Sequence, residues 1–368
     1  GLGLKESNPK GYKCFRDISL TLNNISILVG ANGAGKSSII QSLLLLNGAH
    51  KAQKKETISL PTHNIMGVDL GRVDDLFYDD KSFELQKDLT SDILLSLDNF
   101  RINIPFQKNE GNSPDIIIEF KVQSELDFPL KDIHYLDAER LGPRYICEYK
   151  GLNKDSCGIH GENTAYVWFT HESDRIDNKK WLSPSTDGKF QMQLGAWIKY
   201  IFDGASLSVR RLYDRALQIQ VANRKEGTSV LHIGFGLSYA LPILVEGLIL
   251  KDGDTLIIEN PEAHLQPKAQ TRLGFFLAII ASSGVKLLIE THSEHIIKGI
   301  IKATSTASVD INEDDISIYY INSDIDDVVS AVSINDARNN KYPNGFFDID
   351  AEILNEKIKE REIYMKSE

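Results

Sequence analysis

The chain has 368 residues, 42% of them hydrophobic, which is enough for one large α/β domain with an inserted or appended lobe. Acidic residues outnumber basic ones by 52 to 41, and the net charge of −11 excludes a protein that coats nucleic acid over its whole surface while leaving room for a local basic groove. No apolar run has the length of a membrane span, the start Gly1-Leu2-Gly3-Leu4-Lys5 has no signal-peptide pattern, and the three cysteines (Cys14, Cys147 and Cys157) match no metal-ligand spacing, so the expectation is a cytoplasmic protein with reduced thiols.

In chain order, the first strong element is Ile25-Ser26-Ile27-Leu28-Val29, a short apolar, β-branched strand. Gly30-Ala31-Asn32-Gly33-Ala34-Gly35-Lys36-Ser37 follows and fits the G-x-x-x-x-G-K-[ST] phosphate-binding loop at every required position. Ser38 to Leu44 then has the apolar spacing of a helix, so the motif has the strand–loop–helix context that it needs. Glycine at 30, 33 and 35 lets the backbone fold its N–H groups around a phosphate at a helix N-terminus. The ATP-binding positions are therefore Asn32, Gly33, Ala34, Gly35, Lys36, Ser37 and Ser38, with Lys36 on the β and γ phosphates and the Ser37 hydroxyl on Mg²⁺.

Residues 1–48 form the first half of an ATPase domain in this reading, and 49–228 an inserted α+β lobe that also returns strands to the main sheet. Within the lobe, 108–114 reads as a polar turn, 116–120 as a strand, and 194–201 as an amphipathic helix. Ile133-His134-Tyr135-Leu136-Asp137 looks like a buried strand of the main sheet, ended by Gly142-Pro143. The polar group at its end, Tyr135, Asp137, Glu139 and Arg140, stands where α/β proteins put functional groups, and a structural ion pair is preferred to a functional role. Residues 229–325 supply the second half of the ATPase domain, and 326–368 a tail in which Phe346 and Phe347 serve as docking anchors.

The second half carries three further signals. Leu256-Ile257-Ile258-Glu259 is an apolar strand ending in a carboxylate, as P-loop folds use to hold Mg²⁺ and water. Before it, Gly234-Phe235-Gly236-Leu237-Ser238 forms a glycine and serine turn that opens the apolar helix Tyr239 to Leu250, a second anion-ready helix N-terminus. After it, Thr291-His292-Ser293 ends the strand Val285 to Glu290, where a histidine can hydrogen-bond a γ phosphate. His292 and His295 with Glu290 and Glu294 lack H-E-x-x-H spacing, so a phosphate sensor is preferred to a metal cluster. His264 has two readings, contact with a partner subunit or a capping and surface role.

In order and spacing these motifs resemble ABC-type ATPases of the RecF, SMC and OLD group. The fold class implied is α/β, a P-loop NTPase of ABC-ATPase type with an inserted α+β lobe. More narrowly, residues 234–243, 258–265 and Tyr342 to Asp348 are similar to short bacterial AAA-labelled ATPases, relatives of which belong to anti-phage defence operons. Leu70-Gly71-Arg72-Val73-Asp74-Asp75 resembles the segment that couples the γ phosphate to the inserted lobe. The resemblance implies a homodimer around two ATP molecules, with Gly236 and Ser238 of one chain closing on phosphates held by Lys36 of the other.

The usual Asp-Glu pair is here Glu259-Asn260, with Glu259 and Ser37 as Mg²⁺ ligands and an amide at the position of the catalytic base. The catalytic set is then Glu259, Asn260, Glu262 and His292: either Glu262 or a water relay through Glu259 takes the proton, or hydrolysis is slow. The implied activity is a regulatory ATPase that controls a separately encoded effector, such as a nuclease, or senses nucleic acid, with no membrane partner. The alternatives are a non-hydrolysing ATP-bound scaffold and a DNA repair or recombination ATPase of RecF type. An OLD-like nuclease ranks last, because the stretch after Ile300 is short for its metal-binding domain.

Overall fold

The computed structural model describes residues 2–6, 18–52, 57–61, 70, 93–104, 117–122, 128–142, 147–148, 153–183, 187–213, 215–221, 235–322 and 329–342. The turn at 108–114, the coupling segment after Leu70, Gly234, Cys14, Phe346 and Phe347 lie outside these residues. Strands and helices are numbered in chain order. An antiparallel sheet has β1 (Leu2–Glu6), β2 (Ile18–Leu20), β4 (Thr57–Pro61), β5 (Ile93–Leu97), β6 (Phe100–Ile104) and β7 (Ile117–Val122) in the order β2-β1-β5-β6-β7-β4. The larger-core sheet has β3 (Ile25–Gly30), β8 (Ile133–Leu136), β12 (Thr255–Glu259), β13 (Lys286–Glu290), β14 (Ile316–Ile321) and β15 (Val329–Val332) in the order β15-β14-β3-β13-β12-β8. Only β15 runs antiparallel to its neighbour. A small third sheet joins β9 (Cys147–Glu148), β10 (Leu207–Tyr213) and β11 (Ala216–Val221).

The helices are α1 (Lys36–Lys51), α2 (Thr164–His171), α3 (Phe190–Ile201), α4 (Phe235–Ile249), α5 (Pro267–Ser282), α6 (Glu294–Thr304) and α7 (Ile334–Arg338). Every residue of β3 is buried, because a parallel strand is covered on both faces. Its alternation sorts the core into two. Ile25, Ile27 and Val29 face α4, α5 and α6 together with Ile258 and Ile289. Leu28 faces α1 and the antiparallel sheet together with Ile257 and Leu288. β8, from the 49–228 segment, belongs to the central sheet, and β15, from the 326–368 segment, is paired at its other edge. Among the described residues no helix is long and apolar enough to cross a membrane.

Two features fix the helices that flank the P-loop strand. α5 and α6 cross with backbones nearly touching: a Cβ on Gly299 would lie 2.0 Å from the carbonyl oxygen of Thr271, and one on Gly274 would lie 2.2 Å from that of Ile296. α4 is held by polar groups at depth. The Glu246 carboxylate is 2.5 Å from His134 Nδ1 of β8 and accepts from the amide of Cys157 at 2.6 Å. The buried Lys180 donates to the carbonyls of Gly247, Leu248 and Leu250, which would otherwise be unpaired at the helix C-terminus. α4 starts at Phe235, four residues earlier than the expected start at Tyr239, so Gly236 and Ser238 lie in its first turn and not in a preceding loop. Pro242 sits inside this helix and, lacking an N–H, leaves the carbonyl of Ser238 without its intrahelical donor.

Candidate functional site

The strand order creates the site. The ends of β3, β13 and β12 lie side by side, and the P-loop turns from β3 into α1 in front of them. Gly30, Gly33 and Gly35 have φ of 148°, 78° and 100°, values that side chains on L-residues rarely allow. Gly30 is also closely approached, since a Cβ there would lie 2.2 Å from the carbonyl oxygen of Ile321. α1 starts at Lys36 with no side-chain cap and no acidic residue in its first turn, which leaves its N-terminal dipole open to an anion. Asn32 and Gly33 are exposed at the loop tip, Ala34 is buried, and Gly35 and Ser38 complete the turn into the helix.

Lys36 is buried, and its ammonium donates to the carbonyls of Gly30 at 3.0 Å and Ala31 at 2.8 Å. Three glutamates act on it. Burial lowers its pKa, and the charges of Glu290, Glu259 and Glu262 oppose that shift. Glu290, at the end of β13, accepts from Ser37 Oγ at 3.2 Å and lies 3.7 Å from Lys36 Nζ. Glu259, at the end of β12, accepts from the hydroxyl of Tyr135 at 2.8 Å. Burial first, and the charge of Glu290 second, push Glu259 up to about 7, while burial raises Glu290 too. The Tyr135 hydroxyl is raised by burial beside Glu259, so it stays protonated and donates.

The turn after β12 is built to a specific shape. Asn260 has φ 44°, in the left-handed region, and its amide donates to the carbonyl of Glu290 at 2.9 Å. Its Oδ1 is buried and accepts no hydrogen bond from the described residues. The turn folds Glu262 back toward the end of β13, where its carboxylate accepts from Thr291 Oγ1 at 2.6 Å and from the amide of His292 at 2.7 Å. Burial raises the pKa of Glu262. Burial, with the charge of Lys36, lowers that of His292, which is therefore a neutral imidazole near neutral pH.

Arg140 departs from its expected ion pair. It is 2% exposed, and its guanidinium donates to four backbone carbonyls: Asp137 at 2.7 Å, Glu259 at 2.6 Å, Asn260 at 2.7 Å and Tyr239 at 3.0 Å. It thereby joins the turn after β12 to the first turns of α4. Gly236 packs on the same turn, since a Cβ there would lie 2.5 Å from the carbonyl oxygen of His264. His264 itself has φ 61° and its ring lies 4.5 Å from that of Tyr239. The Ser238 hydroxyl is not presented to a neighbouring chain in this conformation. Its Oγ is buried without a partner among the described residues, beside a cavity of about 50 Å³ lined by Cys147, Thr164 and Pro242.

The structure thus brings together Lys36, Ser37, Glu259, Asn260, Glu262 and His292, and adds Glu290, Tyr135 and Arg140. A sequence shows Glu290 only as a strand-end carboxylate, with no sign that β13 is the strand beside the P-loop. Among the described residues no group of three or more His, Cys, Asp or Glu side chains is arranged to hold a metal, and Glu294 pairs with Lys298 at 2.9 Å instead. The site offers Ser37, Glu290 and Glu259, a hydroxyl and two carboxylates. That fits Mg²⁺, which takes few protein oxygens and completes its shell with phosphate and water.

A family model for the AAA ATPase domain (AAA_15) matches residues 8–180 and 170–297. The chain belongs to this AAA ATPase family. Nucleotide binding at the P-loop of this AAA ATPase follows from that membership and from the cradle just described. The fold is also similar to a Pyrococcus furiosus Smc head domain, solved with an extended coiled coil and bound to the C-terminal domain of ScpA. That likeness has 14% identity, covers 92% of this chain and 97% of the other, and has a TM-score of 0.50. An Smc head bound to the C-terminal winged-helix domain of ScpA aligns at 13% identity over 92% and 98% of the two chains, with a TM-score of 0.48. The SMC head domain of Thermotoga maritima aligns at 12% identity over 90% and 97%, with a TM-score of 0.42. No curated protein sequence matches this AAA ATPase. Its fold is that of a P-loop ATPase of the SMC head kind.

Proposed function

We propose that this AAA ATPase hydrolyses Mg·ATP slowly and works as a nucleotide-gated regulator, in which two copies close around ATP and the closure controls a separately encoded effector or reports bound nucleic acid. The observation that carries this reading is the bridge made by Glu262. One carboxylate, in the turn after β12, holds Thr291 and the backbone of His292, while the same turn is tied through Arg140 to α4. A change at the phosphates is therefore passed to α4 through these hydrogen bonds and the short turn between them.

In this mechanism the P-loop amides, Lys36 and the α1 N-terminus bind the phosphates; a divalent cation would be held at Ser37 with a strand-end carboxylate, where it would supply neutralisation of phosphate charge. His292, a neutral imidazole within the field of Lys36, can donate its ring N–H to a γ-phosphate oxygen. Asn260 can orient a water but cannot take its proton. Glu262 accepts two hydrogen bonds that must loosen before it acts as a base, which supports slow turnover. Gly236, at the start of α4, is the position offered to the nucleotide of a second copy. Ser238 reaches that nucleotide only if its side chain turns outward on closure.

A place in bacterial anti-phage defence is supported by the sequence resemblance at 234–243 and 258–265. A protein partner is supported by the Smc heads, which were solved with ScpA domains. Sedimentation velocity in Mg·ATP, in ADP and without nucleotide tests the dimer: the sedimentation coefficient rises only with ATP in the wild type, and not in Lys36→Ala. An unchanged monomer with bound ATP would refute closure. The second reading, a non-hydrolysing ATP-bound scaffold, is favoured by the amide at Asn260. Steady-state phosphate release decides between the two, because the scaffold gives no release above a Lys36→Ala blank.

A further inference from the structure

Sheet order decides which carboxylate can reach the hydroxyl end of the P-loop. β13 lies directly beside β3, about 4.8 Å away, and β12 lies one strand spacing further out. Glu290 and Glu259 are register partners at the ends of β13 and β12, so their reach to the P-loop differs by that one spacing. Glu290 takes the near place, where Ser37 Oγ donates to its Oε2 at 3.2 Å and Lys36 Nζ stands 3.7 Å from its Oε1. Glu259 is drawn toward the other edge, where Tyr135 of β8 donates to its Oε1 at 2.8 Å.

A serine hydroxyl that points its proton at a carboxylate keeps its oxygen lone pairs available to another partner. A hard divalent cation there takes the hydroxyl oxygen and one or two carboxylate oxygens, with phosphate and water for the remainder. Lys36, on the other side of Glu290, keeps that carboxylate charge-balanced when no cation is held.

We infer that Glu290, and not Glu259, is the carboxylate that joins Ser37 in binding the nucleotide's divalent cation. Glu259, anchored by Tyr135, stands outside the cation's inner ligand set and faces the side from which water approaches. The inference rests on the ATP-binding reading above.

The test is equilibrium binding of a fluorescent ADP analogue to the full chain, in excess MgCl₂ and in EDTA, for the wild type, Glu290→Gln, Glu290→Asp and Glu259→Gln. In the wild type MgCl₂ tightens binding. In Glu290→Gln that gain falls about 10-fold to 100-fold, the range for disturbing a metal site, while binding in EDTA stays the same or tightens because a negative charge has left the phosphate region. Glu290→Asp, with its carboxylate one methylene back, recovers part of the gain and carries the test if Glu290→Gln does not fold. Glu259→Gln keeps the gain. A Glu290→Gln protein that retains the full Mg²⁺ gain, or that weakens equally in MgCl₂ and EDTA as a structural residue would, overturns the inference. So does a Glu259→Gln loss as large as that of Glu290→Gln. A wild type that binds no nucleotide under either condition refutes the ATP-binding reading itself, an outcome distinct from these.

Discussion

Arg140 Nε donates to the carbonyl of Tyr239 across 3.0 Å, and the same guanidinium holds the carbonyls of Glu259 and Asn260. One buried cation thus satisfies acceptors from β12, the turn after it and α4. Burial lowers its pKa to about 10, and Glu262, Asp137 and Glu259 oppose the shift, so it remains charged at neutral pH. Arg140→Met would leave four carbonyls without that donor and should destabilise the protein by about 3 kcal/mol or more. Urea unfolding measures this. A loss within about 0.5 kcal/mol would show that water replaces the guanidinium freely.

Nucleotide should stabilise the wild type through Lys36. A ligand that binds only the folded state at about a hundred times its dissociation constant adds roughly 2.7 kcal/mol. Differential scanning fluorimetry with Mg·ATP should therefore raise Tm in the wild type and leave Lys36→Ala nearly unmoved. An equal shift in both would place the nucleotide away from the P-loop.

The proton acceptor can be located by single-turnover hydrolysis. If Glu262 is the base, Glu262→Gln lowers the rate about a hundredfold with ATP affinity nearly intact, since the interaction lost acts in the transition state. Thr291→Val, which removes one of its two hydrogen-bond donors, should then shift the pH–rate profile without abolishing it. If the amide at Asn260 is what limits the rate, Asn260→Glu raises it. Should neither Glu262→Gln nor Asn260→Glu move the rate, the proton leaves by another group.

Glu259 makes nucleotide-free stability depend on pH. Burial and Glu290 lift its pKa from 4.5 to about 7 in the folded protein, so between those values the folded state binds more protons than the unfolded chain. Its contribution to stability therefore falls as pH rises through that window. Glu259→Gln removes the loss, and its stability relative to the wild type should grow by up to about 3 kcal/mol from about pH 4.5 to 7. Urea melts at the two ends of the window read the difference, and a constant gap would show that Glu259 is not proton-linked.

At Gly299 the α5–α6 crossing has no room for a side chain. Gly299→Ala places a methyl carbon against the carbonyl of Thr271, and the two helices must separate, at a cost of about 1–3 kcal/mol. Because α6 begins at Glu294, just beyond His292, this change should also weaken ATP binding. A stable Gly299→Ala protein with wild-type affinity would show that the helices shift without moving His292.

Much of this site was legible because its chemistry is local. The P-loop declares itself in eight consecutive residues, and the strands ending at Glu259 and Glu290 are short apolar runs bounded by polar turns. What could not be read is order across the sheet. Nothing in residues 286–290 says that they lie between β3 and β12, and so Glu290 passed as a neighbour of His292 and not as the partner of Ser37. Arg140 was misread for a related reason. Charged residues crowd the end of β8, and pairing with one of them is the ordinary fate of an arginine. Besides the nearby Asp137, the carbonyls it actually meets come from segments about a hundred or more residues away, joined only by folding. The early start of α4 was hidden by its glycine, a residue that signals a turn unless packing on the His264 carbonyl requires it in a helix.

The placement of β3 between β13 and β14 also governs how the protein is made. Ser37 and its partner Glu290 are 253 residues apart, and both neighbours of β3 are made long after β3 itself. At about 5–20 residues per second, the nascent P-loop strand waits on the order of ten to fifty seconds with its apolar faces and ladder groups unpaired. The ability to hold nucleotide therefore arrives all at once, when β13 and β14 close on either side of it.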